Sequence, residues 1–290
     1  MGAAAFRLSP DAVSFKSMNG SSCGSSTSSD PVGVFDSGLG GLSLLADVRA
    51  LLPAEHLLYA ADSGHAPYGD KPQHVIIERS LAVTRFLLDQ GAKAVVVACN
   101  TATSAAVRAL RAEFTAPIVA MEPAIKPAVA SSRTRVIGVL ATTQTVAGDN
   151  VARLRERFGA GAEVLLQACP GLVERVEACD LAGPHTRALV ERYVRPLLER
   201  GADTLVLGCT HYPFLMPLIG EIAGPGVSII NPGPAVAKEL KRRLEVAALL
   251  NTAQDPGSLR YWTSGDATMV ASAISRLSKQ QGAVNVELMT

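Results

Sequence analysis

Aromatic residues make up only 4% of the 290-residue chain, too few for a platform that stacks nucleic-acid bases. Net charge is nearly absent as well, at +1, which excludes the strongly basic surface that nucleic acids or anionic membranes require. Lys238, Lys241, Arg242 and Arg243 cluster locally, but Glu239 and Glu245 interleave with them in a helical pattern, so they read as a solvated helix face. Cysteines are few and odd in number: Cys23, Cys99, Cys169, Cys179 and Cys209, with no CxxC pair. That fits neither a disulfide framework nor a zinc ribbon; it fits reduced thiols in a cytoplasmic protein, with no metal or cofactor expected. Long apolar runs are missing too. The longest uncharged stretch, Thr204 to Gly220, is interrupted by His211, Pro213 and Pro217, so no membrane span is expected. The start, MGAAAFRLSPDA, has no basic residue ahead of its short apolar patch and no secretory signal is expected.

What is present is core-forming material. Hydrophobic residues are 48% and charged residues 18%, which excludes bulk disorder, and the length suits two domains of about 150 residues each. Residues 17–30, SMNGSSCGSSTSSD, are half serine, so 1–30 is expected to be a disordered extension in which Cys23 is incidental. From Pro31 onward short apolar runs alternate with amphipathic stretches. Strands are expected at 32–35, 57–61, 94–98, 117–121, 135–140, 164–168, 204–208 and 227–231, and helices at 72–90, 102–113, 146–158 and 184–200. Several strands are β-branched and apolar at every position, as when helices cover both faces of a parallel sheet.

An internal repeat sharpens this α/β reading. Gly91-Ala92-Lys93-Ala94-Val95-Val96-Val97-Ala98-Cys99 matches Gly201-Ala202-Asp203-Thr204-Leu205-Val206-Leu207-Gly208-Cys209, and Val32–Phe35 echoes Ile137–Leu140 at nearly the same offset. Two pseudo-symmetric parallel-sheet domains, each ending a central strand in a cysteine, are expected, with the active site in the cleft between them.

Cys99 and Cys209 each precede a polar turn, Asn100-Thr101 and Thr210-His211. A thiol at a helix start feels backbone N–H groups that favour the thiolate. Inverting a carbon acid needs a base on one face and an acid on the other, and two thiols, one ionised and one protonated, meet that need. Cys169 and Cys179 lack the context and read as structural. Asp36-Ser37, in FDSGLGG, combines a carboxylate with a glycine loop suited to cradling an anion. Asp36 is equally suited to a helix N-cap. His211 is a general acid/base or a partner that tunes Cys209. Glu174, in CPGLVERVE, is undecided between a site carboxylate and a solvated helix face.

In order, FDSGLGG, ADSGHAPYGDK, ACNTATS, EPAIKPA, GVLATTQTV, CPGLVE and LGCTHYPF resemble the glutamate racemases of the aspartate/glutamate racemase superfamily. The resemblance runs from Pro31 to RYWTSGDA at 260–267. It implies a cofactor-independent, two-base interconversion of L- and D-glutamate that supplies peptidoglycan synthesis. It also implies that Cys99 acts on D-glutamate, assisted by Asp36, and that Cys209 acts on L-glutamate, assisted by His211 and Glu174. Substrate binding falls to Asp36, Ser37, Tyr68, Gly69, Asn100, Thr101, Thr210 and His211. The same likeness implies a discontinuous first domain, 31–122 plus 232–290, a second domain at 123–231, and a homodimer. Asn231 stands where an Asp is usual, so no charge role is expected of it. Three other readings stand beside this one: an aspartate racemase, a metabolite-binding protein without activity, and a hydrolase with one nucleophilic cysteine. His211 after Cys-Thr favours glutamate over aspartate.

Overall fold

The computed structural model describes residues 26–279 and 282–289. Cys23 and most of the expected extension lie outside the described residues. The part of it that is described is ordered by contacts. Asp30 N–H donates to Thr27 O, and the buried Lys93 ammonium donates to Ser28 O at 2.5 Å.

Among the described residues, ten strands fall into two parallel sheets. The first contains β1 (Val32–Asp36), β2 (Leu57–Ala61), β3 (Ala94–Val97), β4 (Ile118–Ala120), β9 (Leu259–Thr263) and β10 (Val286–Leu288), in the order β10-β9-β2-β1-β3-β4. The second contains β5 (Val136–Ala141), β6 (Glu163–Ala168), β7 (Thr204–Gly208) and β8 (Ser228–Ile230), in the order β6-β5-β7-β8. All eight expected strands form. The core orders β2-β1-β3-β4 and β6-β5-β7-β8 are the same, which gives the repeat its structural meaning. β9 and β10 extend the first sheet only. Neither was anticipated, because Leu259–Thr263 carries an arginine and β10 is three residues at an exposed edge.

Helices cover both faces of each sheet. Against the first lie α1 (Leu42–Leu51), α10 (Gly233–Val246) and α11 (Ala267–Ser278) on one side, and α2 (Gln73–Asp89) and α3 (Asn100–Glu113) on the other. The period of two is visible in β1: Val32 and Val34 pack with α1 and α10, whereas Phe35 packs with α2 and α3. Around the second sheet lie α4 (Ile125–Ser131), α5 (Thr143–Ala147) and α6 (Asp149–Phe158), then α7 (Leu172–Glu177), α8 (Pro184–Glu199) and α9 (Met216–Ala223). The single helix expected at 146–158 is two, because the backbone at Gly148 is extended and caps the second of them. Asn231 acts locally, its Oδ1 accepting from Gly233 N–H at the start of α10.

The repeated Gly-Ala entry is a shared helix stop. Gly91 and Gly201 have φ of 85° and 86°, a left-handed conformation that costs glycine little, and each sits just beyond the helix that precedes its strand. In both copies the glycine N–H and the following alanine N–H return to the last helical turn. Each copy therefore enters its strand at the same point and delivers its cysteine to the carboxyl end of the sheet. Among the described residues no helix is long and apolar enough to cross a membrane.

Candidate active site

Cys99 follows β3 and is the N-cap of α3, where its sulfur accepts from Ala102 N–H at 3.4 Å. Ser37 Oγ lies 3.4 Å from the same sulfur. The thiol is only 5% exposed. Burial pushes it up to about 11, and the charge of Asp36 adds to this, although Ser37 and Ala102 oppose the rise. The expectation that the helix start favours a thiolate is thus corrected for Cys99: two donors do not offset removal from water.

Cys209 follows β7, but no long helix begins there. A 3-10 turn over Tyr212–Leu215 comes next, with Pro213 inside it, so the second thiol lacks the aligned amides of the first. Its polar neighbour is His211, whose Nδ1 is 3.6 Å from the sulfur and whose ring is 3% exposed. Burial acts to lower the imidazole, yet the hydrogen bonds to Cys209 and Glu177 outweigh it and hold His211 well above its usual value. His211 is accordingly a buried cation between a sulfur and a carboxylate.

That carboxylate is Glu177, not Glu174. Glu177 Oε1 accepts from His211 Nε2 at 2.6 Å and from Leu39 N–H at 2.8 Å. Burial acts to raise the carboxyl, but His211 and the Leu39 N–H hold it below the usual range. Glu174 is exposed and lines a neighbouring hollow beside Cys169 and Pro170. Helix phase explains the difference. α7 buries Leu172 and Val176 and turns Val173 into the site; Glu177, four residues on, follows Val173, whereas Glu174 is rotated a further ~60° toward solvent. The signal was in the helix period, but it needed Val173 as its reference, and only the packed helix shows that Val173 faces the site.

Asp36 ends β1 and is fully buried behind the cysteines' cavity. Its oxygens accept from Gly38 N–H and from Thr210 Oγ, both at 3.0 Å, so it ties the two halves together. Burial raises it to about 6, against the lowering influence of His211 and of those two donors. The glycines of this loop are required by the same closure. A Cβ on Gly38 would stand 2.2 Å from Glu177 Oε1, and one on Gly40 would stand 2.4 Å from His211 Nδ1.

Both thiols line one small, tightly filled cavity. Ser37, Tyr68, Gly69, Asn100 and Thr101 line it from the first half; Thr210, His211, Thr142 and Val173 line it from the second. Thr142, the N-cap of α5, was missed in sequence because Thr143 and Thr145 beside it offer the same hydroxyl. Its Oγ is 2.9 Å from that of Thr101, across the cleft. Asn100 is 3% exposed, and both of its amide atoms are buried without a partner. A buried amide left unsatisfied is costly, which marks it as aimed at a polar ligand. Tyr68 differs from expectation in one respect: its hydroxyl already donates to Asp62 Oδ2 at 2.6 Å, so it offers the cavity its ring and backbone only. Cys169 is buried at the end of β6 and burial pushes its thiol up; Cys179 is half-buried beyond α7, away from the cavity lining. Among the described residues no group of three or more His, Cys, Asp or Glu could hold a metal ion.

Two parallel-sheet halves that bring one thiol each to a closed polar cavity define a class of racemases. The chain belongs to the Asp/Glu/hydantoin racemase family, whose family model matches residues 41–240. It is 56% identical over 247 residues to a glutamate racemase of Methylococcus capsulatus, covering 85% of this chain and 91% of that one. It is 54% identical over 234 residues to the glutamate racemase of Pseudomonas aeruginosa PAO1, covering 80% and 88%. Among solved structures, the Escherichia coli glutamate racemase in complex with L-glutamate and an activator, UDP-MurNAc-Ala, aligns with a TM-score of 0.78 at 30% identity, covering 90% and 98%. A Bacillus anthracis glutamate racemase isoform aligns with a TM-score of 0.82 at 29% identity, covering 90% and 97%.

Proposed function

We propose that the protein is a glutamate racemase that moves a proton at Cα between Cys99 and Cys209 without a cofactor. The reading is carried by the meeting of two thiols, one from each half, on one cavity that is also lined by the hydroxyls of Ser37, Thr101, Thr142 and Thr210, the Asn100 amide and the His211 ring. It is supported by relatives that match at more than half of their aligned positions and are glutamate racemases.

Cys209 takes the α-proton of L-glutamate, and Cys99 delivers its own proton to the opposite face of the planar carbanion. The reverse reaction exchanges these roles. A two-base racemase needs one thiolate and one thiol at the start of each turnover. The His211 cation 3.6 Å from Cys209 can pair with negative charge there, while burial holds Cys99 as the thiol. After one turnover the protonation states are swapped. The enzyme is then set for D-glutamate; to accept L-glutamate again, Cys99 must regain a proton, for which Asp36, raised to about 6, is the nearby acid, and Cys209 must lose one to solvent. Asn100, Thr101, Thr210 and the backbone of Ser37 and Tyr68-Gly69 stabilise the carboxylate charge that grows as Cα becomes carbanionic.

Finer statements belong to the same proposal. D-glutamate made here feeds peptidoglycan synthesis in the cytoplasm. The boundaries of the domains fall at 31–122 plus 232–290 and at 123–231. The active form is a homodimer, which light scattering tests.

Racemisation followed in deuterated water tests the mechanism. Each glutamate enantiomer is expected to gain deuterium at Cα as it converts, and aspartate to turn over far more slowly. Cys99→Ala and Cys209→Ala are each expected to lose racemisation by at least about a thousand-fold. Retention of activity by either variant overturns the two-base assignment.

A further inference from the structure

ADSGHAPYGDK supplies Tyr68 and Gly69 to the cavity, whereas its first aspartate, Asp62, stands behind that lining. Asp62 follows directly on β2, and its N–H donates to Asp36 O at 3.0 Å, so it stands level with the site. Its carboxylate is 0% exposed and collects donors from three parts of the chain. Arg79, on α2, makes a two-pronged contact, Nε to Oδ2 at 3.0 Å and Nη2 to Oδ1 at 2.8 Å. Ser264, just after β9, donates to Oδ1 at 2.6 Å, and His65 Nδ1 lies 3.0 Å from the same oxygen. The remaining donor is the Tyr68 hydroxyl. Burial acts to raise this carboxyl, but the hydrogen bonds from Arg79, Ser264 and Tyr68 together hold it below the usual range. Burial and the adjacent carboxylate push the Tyr68 phenol far up, so it keeps the proton that it donates to Asp62.

The consequence is geometric. Pro67, Tyr68 and Gly69 form one wall of the cavity that holds both thiols, and a Cβ on Gly69 would stand 3.2 Å from the Thr142 side chain of the other half. The loop therefore touches the second half while being anchored to the first chiefly at this buried carboxylate, with Gly64 N–H donating to Ser264 Oγ at 3.1 Å and the Tyr68 ring packed edge-on against Phe35. Resting on the glutamate racemase reading, we propose that Asp62 is a positioning residue: with Arg79 as its counter-ion it clamps the Tyr68 hydroxyl and so sets the Pro67–Gly69 wall against the substrate. It acts through Tyr68 and touches no reacting atom. Charge-assisted bonds of this kind are strong and directional, which suits a wall that must hold its place against the second half.

Tyr68→Phe, Asp62→Asn and the double variant test this, with racemisation kinetics and hydrogen–deuterium exchange of the backbone over 63–71 as separate readouts. Tyr68→Phe removes one oxygen and keeps the buried ring, so the fold is retained. Each single variant is expected to raise KM for glutamate about 10- to 100-fold with a smaller loss of kcat. The double variant should be no worse than the more affected single one, because both remove the same bond. Exchange over 63–71 should speed up at least ten-fold while other segments are unchanged. A wild-type KM in Tyr68→Phe, additive losses in the double variant, or unchanged exchange over 63–71 each overturns the clamp. If the wild-type protein fails to racemise glutamate while loosening over 63–71 still follows the substitutions, the functional reading falls and the clamp stands.

Discussion

Glu177 and His211 meet at 2.6 Å from opposite sides of a buried contact, and the same glutamate oxygen reaches Leu39 N–H in the other half. One carboxylate thus does two things at once. It stabilises the imidazolium beside Cys209, and it fastens the glycine loop of the first sheet to the second. The two cysteines are therefore supported by different chemistry despite the repeat that delivers them: Cys99 has amide and hydroxyl donors, Cys209 a paired histidine.

The two glutamates of α7 separate this arrangement from its sequence-level alternative. Glu177→Gln keeps the shape but removes the charge opposite His211, and is expected to lower kcat for L-glutamate about 10- to 100-fold, the worth of a charged hydrogen bond. Glu174→Gln, at an exposed position, should stay within about two-fold. Equal effects of the two in steady-state kinetics would contradict the assignment.

Asp36 predicts a pH dependence with a definite sign. Its value in the folded protein, about 6, lies above the 3.8 of an ordinary aspartate, so between those values the native state binds more protons than the unfolded one. Stability falls as pH rises through that window, by roughly 3 kcal/mol at most, and levels off above it. Asp36→Asn removes this dependence, so it should gain stability relative to the wild type between pH 4 and pH 7 in urea denaturation. Its kcat/KM for D-glutamate should be low and should lack the acid limb near pH 6. A stability difference constant across that range would sink the claim that Asp36 is buried at a cost.

Gly40 tests closure directly. A methyl group there would sit 2.4 Å from His211 Nδ1 of the other half, whereas the sheets themselves are untouched. Gly40→Ala is expected to lose at least about a hundred-fold in kcat/KM, since a displacement of about an ångström at a reacting group has that effect. Thermal stability should fall by only about 1–3 kcal/mol. Small-angle scattering should show a more open particle; near-normal turnover would mean that the loop yields instead.

Away from the site, Lys93 and Glu55 form a 2.6 Å ion pair with side chains 0% and 1% exposed. Lys93→Met leaves a buried carboxylate without its counter-ion, held only by Asn251 N–H on Oε1, and is expected to cost about 3–5 kcal/mol in denaturant unfolding. Adding Glu55→Leu should recover much of that loss. Equal stability of the single and double variants would show that the pair is hydrated.

Local sequence dictated a large share of this molecule. Runs such as Ala94–Val97 and Thr204–Gly208 had to be buried parallel strands, because they offer no polar face. The two Gly-Ala entries had to deliver cysteines to equivalent strand ends, because each glycine stops a helix at the same phase. Tertiary structure decided the rest. Whether Glu174 or Glu177 reached His211 depended on the rotation of a six-residue helix against the other half, a choice invisible to spacing alone. Whether Cys99 was eased or hindered in losing its proton depended on how completely the halves exclude water, and desolvation outweighs two hydrogen bonds. β9 joined the first sheet by pairing with β2 across nearly 200 residues of intervening chain, and β10 then added to β9, pairings that no local pattern encodes. Strand identity is a property of neighbours in sequence, whereas charge, hydrogen bonding and protonation at a buried site are set by neighbours in space.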